Sequence, residues 1–232
     1  MDSLKKSIIG QHALIIANGT LPGLKIINSL AATADIIICA DGGASYAKQF
    51  GISPDIIIGD FDSVSNETLT YFQDVRHIED PDQNTTDLEK SILYCINNGI
   101  ESVDIISASG DRIDHTTASL GYFKKFGDRI FLRIIDSVGV LTRINKEVHL
   151  SMTIGEKLSL IPVDRCTGIR THNLKYPLDN ETLETGIREG VSNSAVAEHV
   201  SISVEDGTLL LYRFHYGSLA GTTSTSGLRN SQ

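Results

Sequence analysis

The residues best placed to do chemistry are carboxylates that follow short apolar runs. Ile56-Ile57-Ile58 leads straight into Gly59-Asp60-Phe61-Asp62-Ser63, which sets two acids one residue apart. An apolar run of this length, bounded by Pro54 and Gly59, reads as a buried parallel strand, and open α/β sheets present functional groups at the carboxyl ends of such strands. Two carboxylates this close repel unless a cation lies between them, and Mg2+ with a phosphate is the usual solution. On its own the segment also suits a turn, with Asp62-Ser63 capping the next helix. The same pattern recurs elsewhere: Asp41 follows Asp35–Cys39, Asp82 and Asp87 follow Val75–Ile78, and Arg112 and Asp114 follow Val103–Ile106. Unrelated turns would mix Asn, Ser, Gly and Asp. Here nearly every turn supplies an acid and a glycine, which favours one metal–phosphate site at a shared sheet edge.

Neighbouring residues extend that reading. Gly42-Gly43 at a helix start would let backbone N–H groups approach a phosphate, or would form a tight turn that needs positive φ. In Asp82-Gln83-Asn84-Thr85-Thr86-Asp87-Leu88-Glu89-Lys90, Thr86 sits at an electropositive helix start, and Asp87 and Lys90 share one face. Thr86 and Lys90 could hold and neutralise a phosphate; the alternative is a capping segment with a surface Asp–Lys pair. Arg112 suits bidentate phosphate binding, whereas His115 reads as a helix-start residue. No GxGxxG follows the first strand and no GxxxxGK[ST] occurs, so neither the dinucleotide fingerprint nor the Walker loop is present.

The elements that must position these groups alternate. Strands are expected at 12–17, 35–39, 55–58, 75–78 and 103–106, with helices at 22–32, 46–50, 65–72, 85–97 and 115–126. This predicts an α/β fold: an N-terminal parallel-sheet, Rossmann-like domain with helices on both faces over residues 1–128. Beyond Gly127 the pattern becomes strand-like at 131–135, 138–144, 157–163, 199–204 and 208–214, with turn signals such as Asp206-Gly207. That predicts a smaller all-β sandwich domain over 129–216, followed by a flexible polar tail at 217–232. In the second domain, Gly190-Val191-Ser192-Asn193-Ser194 reads as a polar loop, and Asn173–Leu178 sets Tyr176 beside Pro177.

Bulk properties narrow the function. With 232 residues the chain has room for one large or two smaller domains, and a net charge of -9 argues against a nucleic-acid surface. Cys39, Cys95 and Cys166 are widely spaced with no CxxC pair, so neither zinc nor a disulfide framework is indicated and a cytoplasmic setting fits. Lys5-Lys6 before an apolar segment faintly suggests a leader, but Gln11, His12 and Asn18 interrupt it. No run reaches bilayer-spanning length, so no membrane partner is expected.

The combination resembles one family. DGG at 41–43, GDFDS at 59–63, DQNTTDLEK at 82–90 and GDRIDH at 110–115 look like the ordered motifs of the thiamine pyrophosphokinases. SLIP at 159–162, LKYPL at 174–178, SN at 192–193 and GTLLLY at 207–212 are similar to that family's carboxyl-terminal domain. The resemblance implies an α/β catalytic domain, a β-sandwich that helps bind thiamine, and a homodimer with active sites at the subunit interface. It implies transfer of a pyrophosphoryl group from ATP to the hydroxyl of thiamine, giving thiamine diphosphate and AMP, with Mg2+. Carried over by residue, Asp60, Asp62 and Asp87 would hold Mg2+, and Gln83, Thr86, Lys90 and Arg112 would bind the nucleotide's phosphates. Asp41, Gly42, Asp114, Ser192 and Asn193 would lie near nucleotide or thiamine. Separately, the chemistry of the transfer calls for a carboxylate near the hydroxyl to accept its proton, for which Asp62 or Asp60 is the candidate. Two departures stand out: Ser107 and Asp111 replace glycines of the family's usual GxxGGR loop, and the chain has no tryptophan to stack on thiamine. The same acids would also serve a metal-dependent phosphohydrolase, and a binding module that only senses nucleotide or thiamine is the non-enzymatic rival. Thiamine-dependent AMP formation, thiamine-independent phosphate release, and binding without turnover distinguish the three.

Overall fold

The computed structural model describes residues 11–110 and 112–215; the expectations for Lys5-Lys6, Asp111 and the tail at 217–232 fall outside them. The chain divides into two compact units, Met1–Ser137 and Val138–Gln232.

The first unit is built on β1 (His12–Ile16), β2 (Ile36–Ala40), β3 (Ile56–Gly59), β4 (Arg76–Glu79), β5 (Ser102–Ile106) and β6 (Phe131–Ile135). They lie in the order β6-β5-β1-β2-β3-β4, and every neighbouring pair is parallel. Ile15, Ile38, Ile57 and Ile105 are wholly buried, which is why these strands read as continuous apolar runs rather than as alternating ones. The division falls later than the expected boundary at 128/129 because β6 pairs in parallel with β5, from Ser102↔Phe131 to Ile106↔Ile135. From β1 the chain builds outward to β4 and then returns to place β5 on the other side of β1. The carboxyl ends of β1 and β5 therefore flank a topological switch point, where open α/β sheets leave a crevice.

Five helices connect these strands: α1 (Leu24–Thr33), α2 (Gly43–Phe50), α3 (Asn66–Tyr71), α4 (Asp87–Asn97) and α5 (Ile113–Phe126). Local chemistry sets their ends. Ser65 caps α3 by accepting from Thr68 N, Thr86 caps α4 by accepting from Glu89 N, and Gly51 ends α2 in the left-handed conformation at φ 65°. Besides Leu88, Ile92 and Cys95, α4 buries the polar Glu89, Lys90 and Ser91 of its first turns. Burial of a lysine at a helix start signals a charge partner nearby.

The second unit holds β7 (Gly139–Arg143), β8 (Glu147–Ser151), β9 (Lys157–Pro162), β10 (Cys166–His172), β11 (Asp179–Leu183), β12 (Gly190–Ser194), β13 (His199–Ser203) and β14 (Leu209–Phe214). β12-β9-β14-β7 and β11-β10-β13-β8 form two antiparallel arrays. Leu158, Leu160, Leu209 and Leu211 of the first array and Leu150, Ile169, Val200 and Ile202 of the second belong to one buried cluster, so the two arrays share a core. Residues 190–194, expected as a loop, form strand β12. Its pairing with β9 shifts register between Gly190 and Asn193, and that irregularity together with its polar composition hides the strand period. β8, β10 and β11 also escaped the strand pattern, because polar residues such as His149, Arg170 and Asn180 interrupt them.

Candidate active site

The carboxyl ends of β1, β2, β3 and β5, with the start of α4, surround a cleft of about 250 Å3 in the first unit. Close backbone approaches shape it. Gly19 N donates to Ser107 O at 2.6 Å and Thr20 N to Ser109 O at 2.8 Å, which ties the loop after β1 to the loop after β5. A side chain on Gly19 would bring a Cβ within 2.5 Å of both carbonyl oxygens. Gly42 has an ordinary helical φ of -54°, so its glycine answers to space and not to positive φ: a Cβ there would meet the Asn18 amide at 2.3 Å.

Three carboxylates converge beside this cleft. Oxygens of Asp41, Asp60 and Asp87 all lie within 4.8 Å of one another. Asp41 follows β2, Asp60 follows β3, and Asp87 opens α4, so parallel pairing and one helix start bring together acids far apart in sequence. Gly59 makes the approach possible, since a Cβ there would stand 2.7 Å from that of Asp41. Asp41 is 3% exposed; Ser63 N donates to its Oδ2, and its Oδ1 has no partner among the described residues. Burial pushes the Asp41 carboxyl above the usual carboxylate range; hydrogen bonds from Ser63 oppose this, and the charges of Asp87 and Asp60 add to it. Asp60 is held below that range, first by Gln83 Nε2 donating to Oδ2 at 2.8 Å and then by Asp62 N donating to Oδ1. Lys90, 6% exposed, donates to Asp80 O at 2.7 Å and to Asp87 Oδ1 at 3.0 Å. One lysine against three clustered acids leaves an excess of negative charge, and an orphaned buried oxygen faces it. This hard-oxygen donor set fits a divalent cation such as Mg2+.

The expected site residues divide. Asp60 and Asp87 meet as anticipated, but the third acid of the cluster is Asp41, not Asp62. Asp62 is exposed and its Oδ1 accepts from the Ser63 hydroxyl. Sequence spacing favoured Asp62 because it adjoins Asp60, but Phe61 adopts a left-handed φ of 64°, and β2, lying beside β3, places Asp41 at the same edge. Gln83 reaches Asp60 instead of standing free. Thr86 both caps α4 and shares a 2.6 Å hydrogen bond with the Tyr122 hydroxyl. Arg112 lines the cleft and pairs with Asp114 through two bonds, at 3.2 and 2.5 Å; this pairing holds the exposed Asp114 carboxyl down at about 2.

Ser192 and Asn193 belong to the second unit. Asn193 is 7% exposed and bonded at both ends of its amide: its Oδ1 accepts from Tyr176 N at 3.0 Å and Ser194 N at 2.9 Å, and its Nδ2 donates to Tyr176 O at 2.7 Å. These bonds clamp the Tyr176 backbone, and the second Nδ2 N–H is the donor that remains for a ligand. Ser192 is exposed, with a left-handed φ of 61°, and Tyr176 is 59% exposed. Sequence reasoning overlooked Asn18, Gly19, Tyr46 and Tyr122, all of which line the cleft. Only Asn18-Gly19 carried a usable signal, a polar pair at the end of the first strand, and the absence of a GxGxxG there drew attention away from it.

Residues 27–134 match the family profile described as thiamin pyrophosphokinase, catalytic domain, and residues 142–209 match thiamin pyrophosphokinase, vitamin B1 binding domain. Thiamin pyrophosphokinase 1 of Caenorhabditis elegans is 31% identical over 166 residues, covering 66% of this chain and 67% of that protein. Thiamine pyrophosphokinase 1 of Arabidopsis thaliana is 27% identical over 231 residues, covering 87% and 85%. The crystal structure of the Bacillus subtilis thiamine pyrophosphokinase shares the fold, with a TM-score of 0.77 at 21% identity, covering 88% of this chain and 99% of that one. With both of the family's domains matched in order, the chain belongs to the thiamine pyrophosphokinase family.

Proposed function

We propose that this chain is an ATP:thiamine diphosphotransferase that moves the pyrophosphoryl group of ATP to the thiamine hydroxyl, releasing AMP. The observation that carries this reading is the convergence of Asp41, Asp60 and Asp87 beside a cleft at the sheet's switch point. Asp41, Asp60 and Asp87 would hold Mg2+, which when bound neutralises charge on the transferred phosphates. The chain's own groups do the rest. Lys90, near the start of α4, balances part of the acid cluster through Asp87, and Thr86 and the first N–H groups of α4 offer donors to phosphate oxygens. Gly19 and Gly42 let the loops after β1, β2 and β5 pack closely to form one wall of the cleft, and Arg112 supplies a planar cation at the rim. Alignment and charge neutralisation are the main demands of such a transfer. Of the two acids considered as proton acceptor, Asp60 is committed to Gln83, to Asp62 N and to the cluster, while Asp62 is exposed; we assign the role to Asp62.

The strand order and its switch point support the Rossmann-like description of the first unit. The match to a vitamin B1 binding domain supports the second unit as the side that takes thiamine; its exposed Tyr176 offers an aromatic ring, over which Lys175 Nζ lies at 5.4 Å and would have to move for a cation to stack there. The homodimer belongs to the same proposal and is supported by exposed apolar side chains in the second unit, including Ile154, Ile187, Val191 and Val196. A cytoplasmic setting accords with three free, buried cysteines. No described helix is long and apolar enough to cross a membrane.

The test is nucleotide turnover with and without thiamine, with AMP, ADP and phosphate measured separately. AMP formation that requires thiamine is expected. Thiamine-independent phosphate release would replace the transferase with a hydrolase, and ligand binding without turnover would leave a sensor. Sedimentation at micromolar concentration tests the dimer, which an active monomer would exclude.

A further inference from the structure

The outward face of the β11-β10-β13-β8 array carries a histidine cluster that the transfer reaction does not use. Val200 and Ile202 of β13, Leu150 of β8 and Thr171 of β10 are buried, so the alternate residues of these strands point away from the core. Those alternates include His149, His172 and His199, all exposed. The register brings them together. Ser201 pairs with His149 on one side and with His172 on the other, and His199 lies two residues from Ser201 along the central strand. Directly paired residues share a face, so the small Ser201 side chain is flanked by two imidazoles, with a third one step along the strand. His149 and His172 stand two strand spacings apart, about 9.6 Å. Three of the chain's seven histidines, with Ser151, Ser201 and Asn173, line one shallow groove here.

We propose that His149, His172 and His199 form a site for one divalent transition-metal ion of the zinc class. The donors are borderline nitrogen ligands, the set that suits Zn2+, Ni2+ or Cu2+ and not the oxygen-seeking Mg2+ of the acid cluster. Three imidazoles at about 2.0–2.1 Å leave one tetrahedral position for water. In this structure their ring nitrogens do not converge to ligating distance; all three side chains are exposed, and binding requires them to turn toward a common point over Ser201. Two contacts in the structure prepare them. Glu147 Oε1 lies 3.5 Å from His149 Nε2, an acidic neighbour of the kind that orients imidazole ligands, and Asn173 Nδ2 donates to His199 O at 2.7 Å, tying the end of β10 to β13. A bound ion would link β8, β13 and β10 across the outer face, which makes it a staple for the second unit.

Calorimetric titration of the full-length, tag-free chain with Zn2+, in saturating Mg2+ to occupy the acid cluster, tests the site. One saturable Zn2+ per chain is expected, together with a rise in the thermal midpoint. His199→Gln should weaken binding at least about tenfold, and the triple His→Gln variant should lose both binding and midpoint shift. Turnover of that variant in Mg2+ should match the parent. Ser201→Lys offers a second route: it keeps every histidine but sets a cation between His149 and His172, and it should also lose the ion. Absence of saturable binding overturns the site, as does Zn2+ binding that survives the triple substitution or that disappears only in Asp60→Asn.

Discussion

Asp41 in the first unit and Asn193 in the second are almost fully buried, at 3% and 7% exposure, yet their polar atoms meet opposite fates. Asn193 is bonded at both ends of its amide, and each bond holds the Tyr176 turn or its own strand. Among the described residues the Asp41 Oδ1 has no partner, and two further acids lie close to this carboxylate. Burying an unpaired polar atom is costly, so a fold that leaves one beside like charges is strained at that point unless something else binds there. The bonded amide fits the scaffold reading of Asn193, and the unpaired carboxylate at a strand end beside a cleft supports the ligand-binding role proposed for Asp41. Asp104 of β5 is a further bonded case: it is 1% exposed, bonded by Arg133 at 2.6 Å through both oxygens and by His12 at 3.1 Å.

Substitutions at these positions can break the contrast. The largest effect is expected at Asp41→Asn, which keeps the shape and removes the charge. Thiamine-dependent AMP formation should fall about 10³-fold, while thermal stability without Mg2+ should hold or rise because repulsion is relieved. Near-parental turnover would return Asp41 to the scaffold. Asp62→Ala should lower kcat at least about 10²-fold as a lost proton acceptor, with the Mg2+ requirement unchanged. A rise in the Mg2+ needed for half-maximal activity would instead restore Asp62 to the ligand set that its sequence position suggested.

On the bonded side, Arg133→Leu should cost about 3–5 kcal/mol in urea unfolding at neutral pH, because it leaves the Asp104 charge buried without its main partner. Burial pushes the Asp104 carboxyl up, but the bonds from His12 and Arg133 outweigh it and hold the group below its ordinary value. A depressed carboxyl stabilises the fold above its unfolded value, about 3.9. That contribution is lost as pH falls through the folded value. The gap between parent and variant should therefore narrow below about pH 4, and a constant gap would mean that Arg133 acts through packing alone.

Asn193→Ala should cost about 2 kcal/mol in the same assay and should alter turnover at saturating thiamine less than it alters stability. Unchanged stability with a raised thiamine KM would make Asn193 a substrate ligand after all. The smallest effect is expected at Asp114→Ala. It frees an exposed Arg112, and the nucleotide KM should change by less than about tenfold.

Much of this was legible in the order of residues. The continuous Ile runs specify buried parallel strands because both faces of such a strand are covered, and Gly51, Ser65 and Thr86 mark helix ends by local chemistry that needs no tertiary context. That Asp60 and Asp87 would lie at one sheet edge was readable because each follows or opens an element whose direction the alternation already implied. The strands of the second unit were less legible. In β12 the register shift and a left-handed Ser192 break the period of two on which strand recognition depends.

What the sequence determined by itself, then, is the α/β-then-β order of elements, the sheet edge at which acids gather, and the family, all of which follow from local periodicity and ordered motifs. Only the tertiary structure decided which acids meet. Asp62 follows Asp60 closely in the chain, yet Asp41 completes the cluster from the neighbouring strand: β2 pairs with β3, and Gly59 lets the two strand ends close up. Only the structure, likewise, showed Asn193 spent on the Tyr176 turn. Contacts between residues distant in sequence depend on strand register and side-chain packing, which no run of neighbouring letters encodes.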